Sequence, residues 1–280
     1  MKASSREILK KAQKNSYAVP SLNFIDGLTA KAYLEVCEQF KVPMILSFAQ
    51  AHEKWLSLED AAWIGKKIQE KASTPVVLHL DHGQDISFVK KAIELGFNSV
   101  MIDASTQSFE NNIKTTKEVV AYAHERGVDV EAEIGFVGAN ENLENHEVVN
   151  SIYTEVNDAV EFVKKTNVDS LAISIGTAHG VYKGEPKINF ERLYEIREKV
   201  EIPLVLHGGS STGYENLSKC VKGGITKINL FTDMINAGFA AIKNEDVVDY
   251  PSLIIKIKEN IKEELIKYYK VFGLIERKEW

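Results

Sequence analysis

Short apolar, β-branched runs alternate along the chain with longer segments in which apolar residues recur every three or four positions. The runs Tyr17–Phe24, Pro43–Ala49, Pro75–Leu80, Ser99–Ile102, Val128–Glu133, Ser170–Ile175, Pro203–Leu206 and Thr226–Leu230 read as strands. Between them, Leu28–Phe40, Leu58–Lys71, Ile86–Leu95, Ile113–Arg126, Val156–Thr166, Phe190–Val200 and Tyr214–Val221 read as helices with one buried face. Val119, Val120 and Ala123 form such a stripe, with Lys117, Glu118 and Glu125 on the wet side, and Gly127 ends that helix. A further amphipathic helix is expected over residues 251–270. Eight strands alternating with helices over about 250 residues is the count of a TIM-type (β/α)8 barrel. A doubly wound sheet uses the same alternation, because sequence does not report closure. No linker or charge block divides the chain, so one α/β barrel domain is expected across residues 1–280. The polar stretch Gly138–Ser151 is the longest loop, and a loop of that length in a compact domain reads as a functional lid.

Composition narrows the class without naming a chemistry. The 280 residues carry 34 basic and 40 acidic side chains, a net charge of −6, with 44% hydrophobic and 26% charged residues. That balance excludes wholesale disorder. An acidic total argues against a general nucleic-acid surface. No apolar run reaches the roughly 20 residues of a membrane-spanning helix. The start, Met1-Lys2-Ala3-Ser4-Ser5-Arg6-Glu7, lacks the apolar core of a signal peptide, so a cytoplasmic protein without membrane partners is expected. Cys37 and Cys220 make no disulfide framework; both read as helix or helix-end thiols.

Polar groups gather at the carboxyl ends of the expected strands, where barrel enzymes keep their active sites. His82, His179 and His207 fall at three such ends. Three neutral imidazoles with an open fourth position form a catalytic zinc arrangement; satisfied core or surface histidines are the alternative for each taken alone. Asp81 precedes His82 and reads either as a general acid/base or as a carboxylate orienting a histidine. Asp103 and Glu133, on neighbouring strands, suit a second metal position or a structural salt bridge. Gly176, Gly180, Gly208 and Gly209 let backbone N–H groups approach an anion, with Ser210, Asn229 and Thr232 adding hydrogen-bonding groups. Plain turns are the other use of those glycines. His52, His79, His124 and His146 lack this combination; His79 reads as packing or orienting a neighbour and His124 lies on a helix, so these two read as structural.

These residues resemble a known family, the class II metal-dependent ketose-bisphosphate aldolases, which includes the fructose- and tagatose-bisphosphate enzymes. The resemblance rests on Leu78-His79-Leu80-Asp81-His82-Gly83, Val130-Glu131-Ala132-Glu133-Ile134-Gly135, Ile175-Gly176-Thr177-Ala178-His179-Gly180-Val181-Tyr182-Lys183-Gly184 and Leu206-His207-Gly208-Gly209-Ser210. Tyr17-Ala18-Val19-Pro20 with Asn23, and Lys227-Ile228-Asn229-Leu230 with Thr232, complete it, and the similarity runs from about Ser5 to Gly273. The resemblance implies a lyase of carbohydrate metabolism that reversibly cleaves a ketose 1,6-bisphosphate to dihydroxyacetone phosphate and glyceraldehyde 3-phosphate. It implies Zn2+ on His82, His179 and His207, a second divalent site at Asp103 and Glu133, and an assisting Na+ or K+. It places Asp81 at the C4 oxygen and Glu141, in the expected lid, at the C3 proton; a solvated loop carboxylate is the other reading of Glu141. Asn23, Gly180, Lys183, Gly208, Gly209, Ser210, Asn229 and Thr232 fall on substrate-binding positions. A homodimer or homotetramer is implied, with the C-terminal helix as a contact element.

The departures from the family pattern bear on substrate. Ala49 and Ala51 stand where a Ser or Thr and a Gly are usual, and Ala49 cannot donate a hydroxyl hydrogen bond. Nearby His52 or Gln50 is a candidate to compensate for that lost contact, but an ordinary solvated loop is the reading expected. Phe231 replaces an Asp, Asn or Ala between Asn229 and Thr232, Ser211 replaces a glycine, and Ala139 replaces another. Arg277 reads as a distal phosphate contact or as an exposed tail residue. The competing classes are a lyase acting on another phosphorylated keto compound and a non-catalytic barrel subunit. Retention of three histidines and Asp81 separates the enzyme from the latter.

Overall fold

The computed structural model describes residues 1–135, 153–180 and 186–275. Its eight strands are β1 (Val19–Asn23), β2 (Met44–Ala49), β3 (Val76–Gly83), β4 (Ser99–Ile102), β5 (Asp129–Ile134), β6 (Ser170–Ile173), β7 (Leu204–Leu206) and β8 (Ile225–Leu230). All pair in parallel with their sequence neighbours, and β1 also pairs with β8, closing the barrel. That closure decides between the barrel and the doubly wound sheet.

Ten α-helices stand among the described residues: α1 (Ser5–Asn15), α2 (Gly27–Phe40), α3 (Leu58–Lys71), α4 (Ile86–Leu95), α5 (Phe109–His124), α6 (Val156–Thr166), α7 (Phe190–Lys199), α8 (Tyr214–Lys222), α9 (Thr232–Phe239) and α10 (Tyr250–Val271). Local chemistry sets many of their ends. Ser57, Asp85 and Ser108 each accept a backbone N–H of the first turn, satisfying a donor the helix itself cannot. Ser108 therefore starts α5 at Phe109, four residues before the first periodic apolar position, Ile113. Gly96 closes α4 at φ 105, a conformation open to glycine. At α10, Asp249 and Ser252 form a reciprocal capping box with Pro251 in the first turn. Its buried face, including Ile261, Leu265 and Tyr269, packs on α2 and α9.

α1 is a helix the apolar periodicity did not announce. It covers the amino ends of the strands: Ser5 Oγ donates to Ser99 Oγ, Arg6 reaches Asp169 at 2.8 Å, and Ile8, Leu9 and Ala12 are buried. The opposite, carboxyl-terminal end is thereby left as the open mouth.

Strand side chains divide by face, since alternate residues point to opposite sides. Leu46, Phe48, Leu78, Leu80, Val130, Leu171 and Ile228 face outward into the apolar layer under the helices. The inward set carries hydrogen bonds between neighbouring strands, Ser21 to Ser47 at 2.6 Å and His79 to Ser99 at 2.8 Å, and across the barrel from Lys227 to Glu131 at 2.9 Å. A polar interior below an open mouth is what positions the site.

Candidate active site

The carboxyl ends of the strands surround a cavity of about 500 Å3. Asp81 and His82 both line it although they are consecutive in β3. A regular strand would send them to opposite faces. The register of β3 against β4 shifts between Leu80 and Gly83, and His82 adopts φ 47 in the left-handed region. A non-glycine residue there is strained, and such strain clusters at functional sites. The irregularity is what turns both side chains into the mouth.

Asp81 is buried and held on both oxygens. Asn23 Nδ2 donates to Oδ2 from β1, and Asn229 Nδ2 donates to Oδ1 from β8, each at 2.8 Å. Burial alone would raise the pKa of its carboxyl group. The imidazoles of His82 and His207 and the Lys227 ammonium outweigh burial and hold Asp81 far below the usual range. The group is therefore an ionised carboxylate in a fixed orientation.

His82, His179 and His207 each present a ring nitrogen, and the three atoms lie within 4.8 Å of one another. His207 Nδ1 and His82 Nε2 face each other at 2.7 Å. The remaining nitrogens of these two rings are committed elsewhere: His82 Nδ1 lies 2.8 Å from Asp103 Oδ2, and His207 Nε2 lies 2.9 Å from Glu131 Oε1. A carboxylate behind each ring fixes which nitrogen points inward, the arrangement that orients imidazoles toward a metal. His179 Nε2 is buried without a hydrogen-bond partner. A buried polar atom normally has one. An orphaned nitrogen beside two oriented imidazoles fits a divalent cation with N-donor preference.

The charges around the trio point the same way. Burial opposes charge on His82, but Asp81, Asp103 and Glu133 outweigh it and lift its pKa to about 10. Burial, together with His82 and His207, pushes His179 down to about 3. A group of three carboxylates and one basic ring is suited to a cation. His82, Asp103 and Glu133 form a second cluster of potential ligand atoms within 4.8 Å, with Asp103 also tied to Ser105 N–H and Oγ at 3.1 and 2.7 Å.

Beside this cluster, Gly208, Gly209 and Ser210 leave β7 in a tight turn. Gly208 has φ 67, and a Cβ there would lie 2.4 Å from the Ala178 carbonyl oxygen. A Cβ on Gly209 would meet Ile228 Cγ2 at 2.4 Å. Both positions thus exclude any side chain. Ser210 Oγ accepts the N–H groups of Phe231 and Asp233 at 3.2 and 3.3 Å, docking the turn on the start of α9. Gly180, Gly208, Ser210 and Thr232 line the same cavity. Glycine backbone next to a helix N-terminus is an anion-accepting arrangement.

The residues 3–277 match the family described as "Fructose-bisphosphate aldolase class-II". The chain belongs to this family of class II aldolases. Class II aldolases are carbon–carbon lyases, zinc-dependent as a family. The chain is 36% identical over 262 residues to the uncharacterized protein YdjI of Escherichia coli strain K12, covering 94% of each. The crystal structure of the YdjI aldolase superposes over 100% of both chains at 34% identity, with a TM-score of 0.90. A putative fructose-1,6-bisphosphate aldolase from Coccidioides immitis matches at 26% identity and TM-score 0.85, over 97% of this chain and 96% of that one. The fructose-bisphosphate aldolase of Campylobacter jejuni, at 22% identity, TM-score 0.80 and 98% and 96% coverage, shares the fold.

Within this aldolase, the expected residues Asn23, Asp81, His82, Asp103, Glu133, His179, Gly180, Gly208, Ser210, Asn229 and Thr232 all line one cavity. Gly209 stands behind them against β8. Glu141 and Lys183 lie outside the described residues, as do Ala139, His146 and Arg277. Two groups were missed as site residues. Glu131 and Lys227 are buried under the trio, 2.9 Å apart. The signal was available: Glu131 and Glu133, like Lys227 and Asn229, are two apart on a strand and so share a face. His52 corrects the expectation of a solvated loop residue, because it is buried against Phe231 with ring centroids 4.4 Å apart. Gln50 donates to Asp85 and accepts from Gln84 N–H, so it ties the turn after β2 to the connection between β3 and α4.

Proposed function

We propose that this chain reversibly cleaves a phosphorylated ketose to dihydroxyacetone phosphate and an aldehyde, with His82, His179 and His207 holding Zn2+. The observation that carries the reading is the pairing of three converging imidazoles with an ionised Asp81 fixed by two carboxamides. A divalent cation held by His82, His179 and His207 would supply Lewis-acid stabilisation of negative charge on the ketone oxygen. Asp81 accepts the proton of the C4 hydroxyl as the C3–C4 bond breaks, its electron pair passing toward the ketone carbon and oxygen. Asn23 and Asn229 hold that carboxylate in its reactive orientation. Glu141 is assigned the return of a proton to C3. The turn at Gly208, Gly209 and Ser210, with Gly180, Lys183 and Thr232, takes the phosphate on C1. Asp103 and Glu133 are proposed as an alternate or second divalent position, with Na+ or K+ assisting at the phosphate. Fructose-bisphosphate and tagatose-bisphosphate are the reference substrates.

The test is release of dihydroxyacetone phosphate from a panel of ketose phosphates and bisphosphates, before chelation, after it, and after zinc is restored. Solvent-deuterium exchange at the hydroxymethyl carbon of dihydroxyacetone phosphate is measured alongside. Activity lost on chelation and recovered with zinc supports the reading. Zinc-loaded protein that neither cleaves any member nor exchanges the proton refutes it.

A further inference from the structure

Between the turn after β2 and the residue before α9, the cavity is walled by rings. His52, in the 3-10 turn after β2, packs 4.4 Å from the Phe231 ring with 36° between planes. Trp55 lies 5.2 Å from His52 and 6.3 Å from Phe231, within 27° of parallel to the latter. His52 is only 8% exposed, whereas Trp55 is 54% exposed at the rim. His52 and Phe231 line the cavity beside Ala49 and Ala51.

The wall adjoins Asp81. Ala49 is the register partner of Asp81, and Phe231 follows Asn229, which is bonded to Asp81, by two residues. A ketose bound with its C4 oxygen at Asp81 would have C5 and later carbons within reach of β2 and the Phe231 ring. Neither Lys nor Arg lines the cavity among the described residues, while Asp81, Asp103 and Glu133 do. Lys54, next in the loop, does not line it; its ammonium sits 4.4 Å over the Trp55 ring. Burial lowers the pKa of His52, leaving an uncharged ring. Among the described residues lining this side, a second phosphate dianion would lose water without gaining a Lys or Arg counter-charge. The C–H face of a sugar chain, by contrast, matches an aromatic surface with a wet rim.

We propose that His52 and Phe231, with Trp55 packed against both rings from the rim, are the specificity-determining surface for the aldehyde half of the substrate, and that this surface takes an uncharged polyhydroxy aldehyde rather than glyceraldehyde 3-phosphate. The proposal rests on the dihydroxyacetone phosphate reading above and narrows it to ketoses phosphorylated at C1 with an uncharged distal end.

Condensation of dihydroxyacetone phosphate by the zinc-loaded full chain is to be compared for D-erythrose, D-glyceraldehyde and D-glyceraldehyde 3-phosphate, with the aldehyde-free deuterium exchange measured in parallel. The expected kcat/KM for the uncharged aldehydes exceeds that for the phosphorylated one by roughly 10-fold or more. Phe231→Ala and Trp55→Ala each reduce that ratio by roughly 10-fold, mainly through KM, and Phe231→Tyr retains it. Trp55, at the exposed rim, keeps the test available should Phe231→Ala fail to fold. Exchange with a preference for the phosphorylated aldehyde overturns the wall's role and leaves the reaction standing. A ratio unmoved by both alanine variants does the same. Absence of exchange overturns the reaction itself, and this inference with it.

Discussion

Asn229 Nδ2 donates to Asp81 Oδ1 at 2.8 Å, joining β8 to β3 across the mouth of the barrel. Asn23 completes the grip from β1, so the carboxylate proposed to move the C4 proton is aimed by two strands other than its own. Substituting Asn229 by Ala leaves one oxygen of a buried carboxylate unpaired, a loss of about 1.5–3 kcal/mol for a charged acceptor. The expected outcome is a fall in kcat of roughly 10- to 100-fold with zinc content unchanged by elemental analysis. Unchanged kcat would mean that Asp81 needs no second carboxamide.

His179 is the member of the trio whose ring nitrogen is buried without a partner. His179→Ala is expected to abolish stoichiometric zinc binding and turnover together, read by elemental analysis of dialysed protein and by cleavage assay. Zinc retained at one equivalent would remove the three-histidine site.

Lys227 and Glu131 form an ion pair wholly inside the barrel. Lys227→Met leaves the buried Glu131 carboxylate without its ammonium counter-charge, with the His207 ring as its remaining close partner, and removing one partner of a buried pair costs about 3–5 kcal/mol. A marked fall in the urea midpoint is expected, with a smaller one for Lys227→Met combined with Glu131→Gln. Equal midpoints for the single and double variants would show that the pair does not couple.

Glu38 sits far from the mouth and reports on acid stability. Burial opposes ionisation, but Ser73 and Thr74, which donate through both side chain and backbone, hold its pKa down at about 2 from 4.5. A folded pKa below the unfolded one contributes stability above about pH 4.5 and loses it as pH falls toward 2. The side chain is 29% exposed, so the contribution is about 1–2 kcal/mol after screening. The gap in urea midpoint between wild type and Glu38→Gln is expected to close between pH 4.5 and pH 2. A constant gap across that range would refute the assignment.

Much of the fold was legible because helix and strand periods are local. Leu58–Lys71, Ile86–Leu95 and Val156–Thr166 match their helices end to end. Ends set by capping moved, as at Ser108, and α1 was overlooked because its apolar stripe is only Ile8, Leu9 and Ala12. Strand β3 runs three residues past its expected end, to Gly83, through the irregularity at Asp81 and His82.

By itself, the sequence determined which chemistries are present and at which strand ends they stand: three imidazoles, the acids Asp81, Asp103 and Glu133, and the glycines after β6 and β7. It also determined the alternation of strand and helix, since apolar spacing acts over a few residues. Tertiary structure alone decided that the sheet closes, because closure depends on β1 meeting β8 across two hundred residues. It decided that Asn23 and Asn229 converge on Asp81, and that Glu131 orients His207 while Lys227 neutralises it. It also turned His52 from a loop polar residue into part of an aromatic wall with Phe231. Each of these depends on distance in space between groups remote in the chain, and no local pattern encodes that distance.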